Sequence, residues 1–266
     1  MNSPAEIAKN YIAIGKGKAT MKISRMFVLA IMAGMFIAIA GAGASTASAT
    51  LTGSVGRLVN ACVFPAGLTL VILAGSELFT GNCLMIIPVL EKEIPITGML
   101  KNWIVVYLGN FVGGVFVAWG MSASHQLSLY DGQLAASTIN TAVTKVSMSF
   151  GDAFLKGVFC NFLVCLAVWL AFAAKSAAGK IIALFYPIMV FVVCGFEHSI
   201  ANMFYCPAGL FAMGNPDYLA LATADVSKLT WGSFLVNNLI PVTLGNIVGG
   251  ALLVGLVYWF VYLKKD

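Results

Sequence analysis

Charge is what this sequence has least of. Asp, Glu, Lys and Arg make up 9% of its 266 residues, against about 25% in a soluble domain. So few charges cannot cover a water-facing surface, which excludes a cytosolic enzyme, a disordered chain and a nucleic-acid-binding domain. Aspartate is missing from every long apolar run. Histidine is limited to His125 and His198, and there is no HExxH, no P-loop lysine motif and no His/Cys cluster. A metal site draws several ligands of the right type and spacing. No metal, no cofactor and no catalytic residue is therefore expected, and the chain does not read as an enzyme. The six cysteines include no CxxC pair and lie in apolar stretches. They are expected to be small buried hydrophobes rather than disulfide partners.

What the sequence has in excess is apolar length. Hydrophobic residues make up 60% of the chain, and glycine is frequent at 27 residues, as in helices that approach closely inside a bilayer. A crossing needs about 20 apolar residues. Six stretches qualify: Met26–Ala49, Leu58–Leu90, Trp103–Ser124, Gly157–Ala174, Ile181–Gly214 and Trp231–Leu263. They lack period-2 alternation, so they predict helices and not a barrel. Ala47-Ser48-Ala49 resembles a signal-peptidase site, but cleavage there would destroy the symmetry described next. With both termini inside, Lys9, Lys16, Lys18, Lys22, Arg25, Lys92, Lys101, Lys175, Lys180, Lys264 and Lys265 face inward, and Arg57, Lys145, Lys156 and Lys228 face outward, which obeys the positive-inside rule. Residues 1–22 carry spaced lysines and read as an amphipathic segment on the inner membrane surface.

The second and fifth stretches are too long for one plain crossing. Leu58–Leu90 and Ile181–Gly214 each hold a polar cluster near the middle, GSELFTGN at 75–82 and GFEHSIAN at 195–202. Gly, Glu and Asn coincide in them at an offset of 120 residues. A second match, KNWIVVYLGNFVGG at 101–114 and NNLIPVTLGNIVGG at 237–250, is identical at nine of fourteen positions. The chain thus reads as one all-α membrane domain of two three-helix repeats, 24–124 and 145–263. Three is odd, so the repeats are inverted, and helices two and five are broken. Broken helices in inverted halves bring unwound backbone and helix ends to the midplane, where a polar solute can be handled.

His198 is the histidine within a span, where an ionisable group is costly and usually functional. It could donate to an anion or exchange a proton. Glu77 and Glu197 occupy equivalent positions and are expected to support the breaks by accepting the free helix N–H groups. Thr80 is expected to meet the solute. Asn161 and Asn202 could bond a solute or tie off backbone. Lys145 and Lys156 would face one way if Lys145 began the fourth helix, gathering anions at a mouth or simply snorkelling. The matched GxxxG patterns at Gly109/Gly113 and Gly245/Gly249 predict close crossings within or between protomers.

GSELFTGN at 75–82, KGVFCNFLVCLAVW at 156–169, GFEHSIANM at 195–203 and NNLIPVTLGNIVGG at 237–250 resemble the formate/nitrite transporter family along nearly the whole chain. The resemblance implies a homopentamer in the bilayer of the bacterial plasma (cell inner) membrane. Each protomer would have its own pore in an aquaporin-like fold and pass small monovalent anions or their weak acids. It implies Leu78, Phe79 and Thr80 as the pore loop, His198 as the central histidine, Asn161 and Asn202 as pore asparagines and Lys145 as the vestibule lysine. Phe64, Leu68, Val164 and Phe191 would form the constrictions. ELFTGN with CNFLVCLAVW is most similar to the clostridial hydrosulfide branch, so hydrosulfide is expected first, with formate and nitrite next. A proton-coupled carrier working through Glu77 or Glu197 is the rival class.

Overall fold

The structure is a computed structural model that describes residues 1–264; Lys265, counted above among the inward lysines, lies outside the described residues. The secondary structure of the described residues is helical throughout. Helix α1 (Pro4–Thr20) is followed by α2 (Ile23–Ser48), α3 (Gly53–Gly75), α4 (Phe79–Leu90), α5 (Ile96–Ala123) and α6 (Gln133–Val146). Then come α7 (Phe150–Ala173), α8 (Ala177–Val193), α9 (Ser199–Ala212), the short α10 (Pro216–Leu221) and α11 (Trp231–Tyr262). By length and composition, α2, α3, α5, α7 and α11 can each cross a membrane, and α4 and α8 are shorter apolar helices. The protein is a multi-pass membrane protein.

Helix α1 opens with a capping box. The Ser3 hydroxyl accepts the Glu6 N–H, and the Glu6 carboxylate accepts the Ser3 N–H. Hydrogen bonding from Ser3, its backbone N–H foremost, holds the Glu6 carboxyl below its usual pKa. Ile7, Ala8, Tyr11, Gly15 and Ala19 are buried along one stripe. That stripe faces protein, not the membrane surface expected from the sequence. Gly15 abuts Pro88, the Tyr11 hydroxyl donates to the Gly81 carbonyl at 3.3 Å, and Asn2 closes the end of α7 through the Phe172 and Ala173 carbonyls.

Two other expectations change. Lys145 lies in the last turn of α6, and Ser149 caps α7 by accepting the Asp152 N–H. Lys145 and Lys156 therefore sit on different helices and share no helical face. Four cysteines are buried, but Cys62 and Cys194 are exposed, and all six are free thiols.

The GxxxG glycines work inside the protomer. Gly109 and Gly113 press α5 against Phe27, Ala30 and Ile31 of α2, and Gly245 and Gly249 press α11 against Phe154 and Val158 of α7. At Gly113, Gly245 and Gly249 an added Cβ would run into a backbone carbonyl, which cannot swing aside as a side chain can. Gly245→Ala is expected to lower stability by about 1–3 kcal/mol or more. Gly120→Ala, which meets open space, is expected to be neutral or stabilising by up to about 1 kcal/mol. Thermal unfolding of the detergent-solubilised protein checks both, and equal melting temperatures would remove the close-crossing account.

Candidate functional site

Both long apolar stretches are interrupted by the same local chemistry. Gly75 (φ +80°) and Gly195 (φ +67°) take the left-handed conformation that other residues avoid. Just after each, a backbone N–H reaches back five residues, Ser76 to the Val71 carbonyl and Phe196 to the Phe191 carbonyl, which is how a Schellman motif ends a helix. The chain then runs extended through Leu78 (φ −109°, ψ 123°) and His198 (φ −109°, ψ 114°) before α4 and α9 begin. Each extended segment is tied to a neighbouring helix. The Glu77 N–H donates to the Leu29 carbonyl of α2, and the Glu197 N–H to the Lys156 carbonyl of α7.

The glutamates do not take the free helix N–H groups, as the sequence suggested. Those of Phe79 and Ser199 go to the side-chain oxygens of Asn110 and Asn246. An amide can accept from one peptide and donate to another, which a carboxylate cannot. The glutamates instead hold side chains. Glu77 accepts from Lys18 at 2.7 Å and from Asn82 at 2.7 Å. Glu197 accepts from Lys145 at 2.9 and 3.0 Å and from Asn202 at 2.7 Å. Asn82 and Asn202 also donate to Asn102 and Asn238. Sequence reasoning missed Asn102, Asn110, Asn238, Asn246 and Lys18. The four asparagines were in view, as matched positions of KNWIVVYLGN and NNLIPVTLGN. Lys18 lay in no matched segment.

Between the breaks lie His198 and Thr80, His198 nearly and Thr80 fully buried. The Ala201 N–H donates to His198 Nδ1 at 3.1 Å, and Nε2 stands 2.9 Å from Thr80 Oγ1. A nitrogen that accepts carries no proton, so the neutral ring bears its hydrogen on Nε2 and donates it to the Thr80 hydroxyl. On one side is a cavity of about 450 Å³, lined by Arg57, Lys145, Lys156, Phe64, Phe191 and His198, with Glu197 and Asn202 in its wall. On the other is one of about 50 Å³, bounded by Tyr11, Lys18, Leu68, Leu78 and Asn82. Phe64 and Phe191 meet edge to face at 5.7 Å between ring centres, and Phe191 lies 6.1 Å from the His198 ring.

Five residues named from the sequence, Glu77, Phe79, Thr80, Asn161 and Val164, line neither chamber. The Phe79 ring packs on Trp103 and Tyr107 at 5.9 and 5.0 Å. Asn161 donates to the Thr80 and Asn246 carbonyls at 3.2 and 2.6 Å, the backbone-tying alternative. Val164 is buried on α7. Asn202 is fully buried in the larger chamber's wall, and its side-chain oxygen has no partner. Among the described residues, no group of three His, Cys, Asp or Glu side chains could hold a metal.

Comparison with known proteins gives one consistent result. Residues 5–260 match the family described as formate/nitrite transporter. A probable formate transporter of Methanothermobacter thermautotrophicus is 41% identical over 99% of this chain and 98% of its own length. The formate channel FocA of Escherichia coli (strain K12) is 38% identical over 99% of this chain and 95% of its own. Among solved structures, a pentameric formate channel with formate bound superposes with a TM-score of 0.80 at 38% identity, covering 91% of this chain and 98% of that one. An FNT family ion channel does so with a TM-score of 0.83 at 32% identity, covering 97% and 98%.

Proposed function

The chain belongs to the formate/nitrite transporter family, and from that premise we propose that it is a passive channel for small monovalent anions carried as weak acids. Formate is the first expected substrate. The whole-chain relatives at 41% and 38% identity bear formate in their names, and that outweighs the short ELFTGN segment that pointed to hydrosulfide. Hydrosulfide, on that segment, is the second reading, with nitrite after it. The protein works as a homopentamer in the bacterial plasma membrane, each protomer with its own aquaporin-like pore. Both termini are cytoplasmic, so the smaller chamber faces the cytoplasm and the larger one faces out.

Six crossings make two inverted repeats, with α3–α4 and α8–α9 as the broken spans. The repeats reach further than 24–124 and 145–263. Lys18 and Lys145, Leu29 and Lys156, and Ala30 and Gly157 make equivalent bonds at a constant offset of 127 residues. Helix α1 is therefore the counterpart of α6, and both belong to the repeat.

The observation that carries the function is the His198–Thr80 pair, set between two chambers behind apolar rings. Arg57 and Lys156 raise the local anion concentration in the outer chamber. Phe64, Phe191 and Leu68 then impose a desolvation cost, which is severe for a bare ion and far smaller for a neutral acid. The Thr80 hydroxyl accepts the Nε2–H of His198 and keeps its own hydrogen to donate, so the pair, at the positive ends of α9 and α4, offers a donor where the anion has lost its water. Both glutamates are already engaged by lysine and asparagine, which leaves the carrier reading without support.

Flux into proteoliposomes tests the proposal. Formate, hydrosulfide, nitrite and chloride are compared across pH 5–8. Formate is expected to exceed chloride by at least about a hundredfold, since a difference of about 3 kcal/mol in barrier is already that large. Equal formate and chloride flux would refute weak-acid selectivity. Hydrosulfide well ahead of formate would restore the ELFTGN segment as the better guide.

A further inference from the structure

Asn246 is fully buried and lines neither chamber, so the passage just described makes no use of it. Its carboxamide forms three hydrogen bonds. Oδ1 accepts the Ser199 N–H at 2.9 Å, and Nδ2 donates to the Glu197 carbonyl at 3.0 Å and to the Gly157 carbonyl at 2.8 Å. The first two are the peptide groups on either side of His198. One side chain thus pins both peptide planes that flank the histidine and ties them to α7.

The other break has the same device. Asn110 accepts the Phe79 N–H at 3.0 Å and donates to the Glu77 carbonyl at 2.9 Å and to the Ala30 carbonyl of α2 at 2.7 Å. The residue in its grip is Leu78, which has nothing to ionise and no tautomer to choose. The frame is shared and the cargo differs.

We infer that Asn246 is the positioning residue of His198: its clamp on the two flanking peptides sets the imidazole as the cap of α9 and so aims Nε2–H at Thr80. The causal chain is short. An extended His198 backbone is what allows a side chain to cap the helix that follows. With the backbone fixed, Nδ1 receives the Ala201 N–H. An accepting Nδ1 leaves the proton on Nε2, 2.9 Å from Thr80 Oγ1. Without the clamp the Glu197–His198 and His198–Ser199 peptides are free to rotate, Nδ1 loses its donor, and both tautomers become accessible. The inference rests on the reading of His198 as the group that meets the permeating acid.

The test reads the tautomer and the transport separately. The chain has two histidines, so a His125→Gln background leaves His198 as the one imidazole signal. Nitrogen-15 NMR of that protein in lipid is expected to show protonated Nε2 and bare Nδ1 at neutral pH. Asn246→Leu removes all three bonds at similar volume and is expected to show both tautomers. Its formate flux is expected to fall about tenfold, the factor that corresponds to one ordinary hydrogen bond, with a changed pH profile. Asn110→Leu loses the matching three bonds around Leu78 and is expected to keep the single tautomer, which a merely structural clamp would not distinguish. Asn246→Asp keeps the acceptor for Ser199 and loses both donors, and it decides the same question should the leucine variant not accumulate.

A single Nε2–H tautomer in the Asn246 variants, or protonated Nδ1 in the wild type, overturns the inference. Wild-type protein that carries no formate, nitrite or hydrosulfide overturns the channel reading instead, and the spectra keep the two failures apart.

Discussion

His198→Phe is expected to reduce formate flux about ten- to hundredfold and to flatten its dependence on pH. The size follows from what the ring does in the structure. It presents one N–H donor in a water-poor gap between Phe191 and Thr80. A hydrogen bond to a charged group is worth about 1.5–3 kcal/mol, and each 1.4 kcal/mol in a barrier is about tenfold in rate. Phenylalanine keeps the ring and removes the donor. It also removes the cap that accepts the Ala201 N–H, at a stability cost of about 0.5–2 kcal/mol. Folding is thus weakened, not lost. His198→Asn separates the two effects, because asparagine is a good cap with a shorter reach. It is expected to match the wild type in thermal stability while its flux falls between wild type and the phenylalanine variant. Undiminished flux with an unchanged pH profile in His198→Phe would falsify the role of the ring.

Much of this arrangement was legible because a membrane makes polarity conspicuous. Against apolar runs, GSELFTGN and GFEHSIAN stand out, and they hold the breaks. Gly75 and Gly195 end their helices for a reason the residue type announces, a left-handed backbone. The spacing of 120 and 136 residues between matched segments is what the proposed relation between the halves rests on. What it did not give was which polar group meets which. A glutamate beside a helix start reads as its cap, yet Asn110 and Asn246 do that work, because only an amide can serve the N–H and the carbonyl on either side of one residue. Both asparagines lay in the matched LGN triplets and were read for their glycines. Lys18 was illegible for a different reason. Its partner Glu77 is far away in sequence, and the helix that carries it resembles α6 in position and not in residues. The direction of Phe79 was equally hidden, since the loop that holds it fixes the backbone, and Trp103 and Tyr107 decide where the ring goes.

Lys145→Met is expected to cost about 3–5 kcal/mol of stability, and the cost is expected to disappear largely when Glu197→Gln is added. Lys145 and Glu197 have side chains only 13% and 7% exposed and meet through both carboxylate oxygens. Removing the lysine leaves a buried carboxylate with one amide donor, Asn202, and an uncompensated charge at that depth is the expensive outcome; replacing both partners is often neutral. Glutamine can keep the Asn202 contact as an acceptor, so the double variant retains the wall of the outer chamber. The matched pair Lys18–Glu77, 18% and 6% exposed, is expected to behave alike: Lys18→Met destabilises and the addition of Glu77→Gln restores. Lys16–Glu93, at 52% and 44%, is the control. There both charges stay hydrated, and Lys16→Met is expected to change stability by no more than about 1 kcal/mol. Thermal melts of the five variants measure this, and a Lys145→Met protein as stable as Lys16→Met would show that the pair is hydrated after all. The same ledger bears on transport. A lysine spent on a carboxylate draws little anion, so the pull of the outer chamber comes from Arg57 and Lys156. The double variant is therefore expected to keep most of the wild-type formate flux, and Lys156→Gln to lose flux chiefly at low salt, where unscreened attraction reaches furthest.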